Sequence, residues 1–186
     1  MTGKHLPPEW IVKARQHWDT AKQPNDIVEP GPDQESVWDF PRPPSIQPVQ
    51  KPVRVIYDGV TIVETNRAKR ICETASPPTY YIPRSDIVEG ALQPIDRSSL
   101  CEWKGNASYF DVGTGKRLAR GAAWCYPRPY EEFVAIAGWV AFMPAAMDAC
   151  YVGDDQVRPQ PGGFYGGWIT PELTGPFKGE PGTGHW

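Results

Sequence analysis

Cys101-Glu102-Trp103-Lys104 places a thiol, a carboxylate, an indole and an amine at four successive positions near the middle of the chain. A thiol beside a cation can act as a nucleophile, because the cation stabilises the attacking thiolate. A carboxylate beside an amine is a general acid–base pair, and an indole offers a flat apolar wall whose face also attracts cations. The candidate catalytic residues are therefore Glu102, Lys104 and Cys101. What they can do together depends on the element that carries them. Residues 100–104 are bounded by Ser98-Ser99 and Gly105-Asn106, and they read as a short strand. Alternate side chains of a strand share a face, so Cys101 goes with Trp103 and Glu102 with Lys104. On this expectation only one of the two pairs faces a given cavity, and Cys101 and Glu102 do not act on one substrate.

Other chemistries are thinner. The three histidines, His5, His17 and His185, all lie in the terminal segments, so the central chain offers no Ser-His or Cys-His system and no imidazole ligand unless a terminus folds back. Cys72, Cys101, Cys125 and Cys150 stand far apart with no Cys-x-x-Cys knuckle, and we expect free, mostly buried thiols, no metal site and no cofactor. The net charge of -3 comes from 19 basic and 22 acidic side chains interspersed along the chain, which argues against nucleic acid or an anionic membrane as partner. No apolar run approaches the ~20 residues of a membrane helix and no signal-peptide core is visible, so the expected location is cytoplasmic.

The elements that must position the candidates come mostly in short extended pieces. Trp10, Ile11, Ala14 and Trp18 recur at helical spacing, predicting an amphipathic helix over about 7–22 that either docks on the domain or serves as a homodimer contact. Pro24, Pro30, Gly31 and Pro32 mark 23–35 as a linker, and 36–44 as an extended arm that buries Trp38 and Phe40. This divides the chain into 1–34, a helix and linker, 35–180, the main domain, and 181–186, a tail. From Val53 the period becomes two. Asp58-Gly59 joins a hairpin, and residues 68–73 are expected to extend it to a three-strand meander before Ser76-Pro77-Pro78 interrupts. Strands follow at 79–83, 107–112, 117–126, 139–143 and 149–152, with a helical turn or two after Ser85 and again over 131–137. Across the Thr114-Gly115 turn, Tyr109 is expected to face Arg120, while Leu118, Arg120, Ala122, Trp124 and Tyr126 share one face. About nine or ten short strands with little helix between them predict an all-β sheet sandwich or open barrel, not a parallel α/β fold.

Eight tryptophans exceed what a core of a 186-residue chain usually requires. Tyr81, Trp103, Trp124, Tyr165 and Trp168 are the candidate walls of a small-ligand pocket, with Glu102, Lys104 or Arg120 as polar contacts. The alternatives are that these aromatics are packed core, that the Glu, Lys and Cys groups catalyse a reaction, or that the helix makes the protein an interaction module.

The segments Glu35-Ser36-Val37-Trp38-Asp39-Phe40-Pro41-Arg42-Pro43-Pro44, Tyr80-Tyr81-Ile82-Pro83, Cys101-Glu102-Trp103-Lys104-Gly105, Ala122-Ala123-Trp124-Cys125-Tyr126-Pro127 and Arg158 to Trp168 together resemble a bacterial and fungal family. It is number 427 among the domains of unknown function and is sometimes labelled nucleotidyltransferase-like. The resemblance spans roughly 35–180. It implies a compact all-β domain of the β-tent, Mss4-like group, which includes the B-type methionine sulfoxide reductases and the thalidomide-binding domain of cereblon. The paired-cysteine zinc knuckle common in that group is missing from this sequence, so its metal is not carried over. The tryptophan cage of the thalidomide-binding relatives would fall on Trp103, Trp124 and Trp168 by analogy of fold. For nucleotidyl transfer, Asp154-Asp155 and Gly113-Thr114-Gly115-Lys116 both read more simply as turns.

Overall fold

The computed structural model describes residues 4–20 and 23–186. Apart from a helix α1 (Glu9–Arg15) and short 3-10 turns, the regular structure is β. In chain order the strands are β1 (Glu35–Ser36), β2 (Ser45–Pro48), β3 (Val53–Tyr57), β4 (Val60–Thr65), β5 (Lys69–Glu73), β6 (Ser76–Ile82), β7 (Leu92–Cys101) and β8 (Gly105–Gly113). They continue with β9 (Leu118–Cys125), β10 (Val140–Phe142), β11 (Ala149–Val152), β12 (Asp155–Gln156), β13 (Arg158–Pro159), β14 (Trp168–Ile169) and β15 (Leu173–Thr174). Seven of them form an open sheet in the order β2-β5-β6-β10-β9-β8-β7, and four form a second sheet in the order β12-β11-β3-β4. β13 pairs with β14, and β1 with β15; that last pairing is parallel and the others are antiparallel.

Period-two alternation gives the large sheet two buried faces. Tyr80, Ile82, Ala123, Cys125, Val140 and Phe142 point toward the four-stranded sheet, where they meet Val53, Val55, Ile62 and Trp168. Their neighbours Tyr81, Trp124, Tyr126 and Ala141 point the other way and pack with Trp103, Phe133 and Ile136. A 3-10 turn, Glu131–Ile136, and the half-buried Trp18 help cover this second face. Each fully buried side chain of this size is worth about 1.5–3 kcal/mol of transfer free energy, so both layers contribute to stability. The candidate site lies on the second face.

Several expectations change. The N-terminal helix ends at Arg15, and a 3-10 turn, Gln16–Thr20, follows; positions 21 and 22 lie outside the described residues. Ile11 is buried while Trp10 is 59% exposed, because successive helical residues point about 100° apart and only one of the two can face the domain. β4 is not followed by a third strand of the same sheet: the chain crosses after Thr65, and β5 pairs with β2 and β6 in the large sheet. Pro77 and Pro78 do not interrupt β6. They fall where the β5–β6 register shifts between Ile71 and Glu73, a place with no ladder bond for a proline to lose. Finally, Tyr109 pairs with Trp124 and not with Arg120, because Gly113 pairs with Leu118 across a four-residue loop, not a two-residue turn, and the β8–β9 register shifts again between Phe110 and Val112. Asp58-Gly59 does form the expected two-residue hairpin turn, with φ of 53° and 72°.

Candidate functional site

Residues 102–104 are not a strand. β7 runs to Cys101, Cys101 pairs with Gly105 at the start of β8, and Glu102, Trp103 and Lys104 form the three-residue loop between them. Gly105 closes the loop at φ 90°, a conformation that side chains with a Cβ rarely adopt. Strand alternation therefore does not separate the four groups. All four line one cavity of about 410 Å³, with Lys104 and Trp103 buried and Cys101 and Glu102 half-buried.

The loop is clamped from outside by the N-terminal segment. Arg15 Nε donates to the Glu102 carbonyl at 2.8 Å and Arg15 Nη2 to the Trp103 carbonyl at 3.1 Å, while its guanidinium lies 5.0 Å from the Trp103 ring centre. Trp18 Nε1 donates to Glu102 Oε1 at 3.2 Å, and Trp103 Nε1 to Glu73 Oε1 on β5 at 3.1 Å. Both carboxylates at the cavity are thus engaged, and Glu73 also lies 3.5 Å from Arg42 Nε.

Two lysines remain. Burial pulls the Lys104 ammonium down, but Cys101, Tyr81 and Glu73 pull it up further, and it stays above the ordinary lysine range. Tyr81 is neutral at physiological pH, because burial pushes its phenol up to about 12 against the opposing pull of Lys104 and a hydrogen bond from Trp124. Among the described residues, no carboxylate lies within 4.0 Å of Lys104 Nζ. Lys178 reaches the cavity from the C-terminal segment. Burial lowers its pKa, it donates to the Trp186 carbonyl, and it lies 4.4 Å from the Trp18 ring centre.

The remaining wall is the loop 160–167. Its ends are tied by Gln160 N to the Gly167 carbonyl at 3.0 Å and by Gly167 N to Gln160 Oε1 at 3.0 Å. Between them Tyr165 and the exposed Phe164 border the cavity, and Gly166 lies so close to the indole of Trp124 that a Cβ there would be 2.1 Å from Cη2.

The structure therefore gathers Cys101, Glu102, Trp103, Lys104, Tyr81, Trp124 and Tyr165 at one cavity. Trp168 is elsewhere: it is fully buried between the sheets, stacked on Tyr80 at 4.8 Å, with Nε1 donating to the Phe142 carbonyl at 3.2 Å. A cage of Trp103, Trp124 and Trp168 is not assembled. Arg120 borders a smaller neighbouring cavity of about 250 Å³. Trp18, Glu73, Tyr126, Phe164 and Lys178 line the main cavity without having been singled out as site residues. Trp18 carried a signal in its helical stripe and Phe164 in its glycine-flanked aromatic pair; Lys178 carried none. Among the described residues, no cluster of three or more His, Cys, Asp or Glu side chains could hold a metal ion. Among the same residues, no helix is long and apolar enough to cross a membrane.

Residues 45–153 match the profile of a family described as a domain of unknown function, DUF427. The chain belongs to the DUF427 family. A search of curated proteins finds no match. The DUF427 match runs from β2 through β11 and so contains the Cys101–Lys104 loop, Glu73, Tyr81 and Trp124. It is narrower than the 35–180 span of the resemblance, and it leaves Trp18, the loop 160–167 and Lys178 outside. The nucleotidyltransferase wording is a label only. Asp154 sits in the turn before β12, which begins at Asp155, and Thr114-Gly115-Lys116 lie in the loop after Gly113 ends β8; neither motif borders the cavity.

Proposed function

We propose that this DUF427 protein binds a small flat molecule bearing an anionic group, its ring between the aromatic walls and its anion on Lys104. The observation that carries this is the buried Lys104 ammonium, which faces a cavity with no carboxylate within 4.0 Å among the described residues. A buried cation is costly unless paired, and a ligand oxyanion would complete the pair that the protein leaves open. Trp103, Trp124, Tyr81 and Tyr126 supply flat apolar surface, and the cavity falls within the ~300–1,000 Å³ usual for small-molecule sites. A charge-assisted hydrogen bond to the anion contributes about 1.5–3 kcal/mol, or roughly ten- to 150-fold in affinity.

Titration of the tryptophan fluorescence with indole-3-carboxylate, benzoate, indole and benzylamine tests this. The two carboxylates should bind best, and Lys104→Met should abolish their advantage over indole. Equal affinity for indole and indole-3-carboxylate in the wild-type protein would sink the proposal.

A second reading, catalysis through Cys101, draws on one observation: it is the one cysteine of the four that is not buried, and it lines the same cavity as the Lys104 ammonium. Iodoacetamide labelling followed by peptide mass mapping addresses it. Preferential alkylation of Cys101 over Cys72, Cys125 and Cys150, blocked by a bound carboxylate, is the expected result, and an inert Cys101 in the empty protein ends this reading.

A further inference from the structure

Two β-bulges lie side by side in the large sheet, flanking β8. In the β7–β8 ladder Ile95 pairs with Tyr109 but Ser98 with Ser108, so Asp96 and Arg97 are bulged out. In the β8–β9 ladder Phe110 pairs with Ala123 but Val112 with Ala119, leaving Arg120 and Gly121 in the second bulge. Bulges give up ladder hydrogen bonds and re-aim side chains, and here both aim an arginine into the same 250 Å³ cavity.

The Arg97 guanidinium lies 4.3 Å from the Tyr109 ring centre. Gly121, at φ 58°, makes this possible, since a Cβ there would stand 2.7 Å from Arg97 Nη1. Buried Asp111 fixes the second bulge by accepting the Gly121 N–H at 2.6 Å and lies 3.6 Å from Arg120. Among the described residues no carboxylate lies within 4.0 Å of Arg97, and the one carboxylate within that distance of Arg120 is Asp111, whose Oδ1 already accepts the Gly121 N–H. This cavity also shares Tyr109, Trp124 and Phe164 with the larger one, and the two adjoin along that wall.

We propose that Arg97 and Arg120 form a second anion subsite, which takes a phosphoryl group carried by the ligand whose ring occupies the larger cavity. The inference rests on the ligand-binding reading above and narrows it to flat ring molecules that carry a phosphoryl group besides the anion held by Lys104. Planar guanidinium forks match the oxygens of a phosphoryl group, and two of them match its charge of about -1.5 to -2.

The test is a titration of the full-length protein with inorganic phosphate, phenyl phosphate and benzoate, followed by arginine 15Nε NMR and tryptophan fluorescence. Phosphate should shift the Arg97 and Arg120 signals, and phenyl phosphate should bind at least tenfold more tightly than phosphate. The double variant Arg97→Gln/Arg120→Gln should lose at least fivefold in phenyl phosphate affinity and keep its benzoate affinity. Lys104→Met should do the converse, weakening benzoate and sparing the phosphate-induced shifts of the Arg97 and Arg120 signals. Phosphate that leaves the Arg97 and Arg120 signals unshifted, or a phenyl phosphate affinity unchanged in the double variant, overturns the arginine subsite while leaving the Lys104 reading intact. Phosphate that shifts both arginines while benzoate fails to bind overturns the ring-binding reading and the claim that one ligand spans both cavities.

Discussion

Replacing Gly166 with alanine forces a direct collision. The added Cβ would stand 2.1 Å from Trp124 Cη2, 3.0 Å from Cζ3 and 3.1 Å from Cζ2. Carbon atoms in contact prefer about 3.5–4.0 Å, so one side must retreat by roughly 1.5 Å. The indole cannot do so cheaply. It is 9% exposed and packs on the same sheet face as Tyr81 and Tyr126. The loop 160–167 must lift instead, or the packing around Trp124 must give. Overpacking of this kind costs about 1–3 kcal/mol, which for a chain of this length lowers Tm by roughly 2–12 °C. Gly163→Ala is the control. Nothing lies within 4 Å of its Cβ, but φ is 68°, so it carries only the left-handed penalty of about 1–2 kcal/mol. Thermal melts by circular dichroism with the tryptophan emission maximum recorded alongside separate the two. Gly166→Ala should shift both Tm and emission, since Trp124 changes its surroundings, and Gly163→Ala should shift Tm alone. A Gly166→Ala protein with Tm within 1 °C of wild type and unchanged emission would refute the reasoning that the loop rests on the indole.

Trp168→Phe removes the hydrogen bond to Phe142 and opens a void beside Tyr80, so stability should fall by about 2–4 kcal/mol in urea unfolding while ligand affinity stays unchanged; a lost affinity would place Trp168 at the site after all. Asp86 is held below its usual value of 3.8 by hydrogen bonds from Arg67, Thr65 and Ser85, so its stabilising effect is present above that pH and is lost as pH falls through the lowered folded value. Asp86→Asn should therefore be less stable by about 1 kcal/mol or less at pH 7, with the difference shrinking as pH falls below 3.8, and a difference that does not shrink contradicts the assignment. Burial raises Tyr81 to about 12 from 10.0, so the folded state keeps its proton where the unfolded chain ionises; stability should decline between those two pH values, less steeply in Tyr81→Phe. Leu6 and Trp10 are 64% and 59% exposed, and a homodimer contact through them requires Trp10→Ser to lower the sedimentation mass; a wild-type monomer removes that role.

The part of the fold that alternation governs was legible from residues alone. β3, β4 and their Asp58-Gly59 turn, the strands around Trp124 and Val140, and the burial of Trp38 and Phe40 all follow from period two and turn chemistry. β7 was not legible, because it is an edge strand on which Gln93, Pro94 and residues 96–100 are all exposed, so no apolar alternation announces it. Missing that strand is what turned the 102–104 loop into a strand, and with it divided Cys101 from Glu102. The register of Tyr109 failed for a related reason. Gly121 within a strand pattern was itself the mark of a bulge, which alternation alone passes over. The aromatic walls were visible by type. Lys178 and Trp18 reach the cavity from segments with no periodicity in common with it, and only tertiary packing brings them there.

Arg15 and Trp18 hold the 102–104 loop across 84 to 88 positions of sequence, and Lys178 closes over Trp18 from near the other end of the chain. The cavity is therefore bordered by two segments that lie outside both large sheets, while the inter-sheet core stands apart from them. Opening the site needs only the release of these end segments and not the melting of a sheet. Backbone amides of the 102–104 loop should accordingly exchange with solvent at a free energy well below that of β3 or β10. A bound ligand touching both segments should raise that value toward the global one, so the release of these two segments would set the rate of entry and exit.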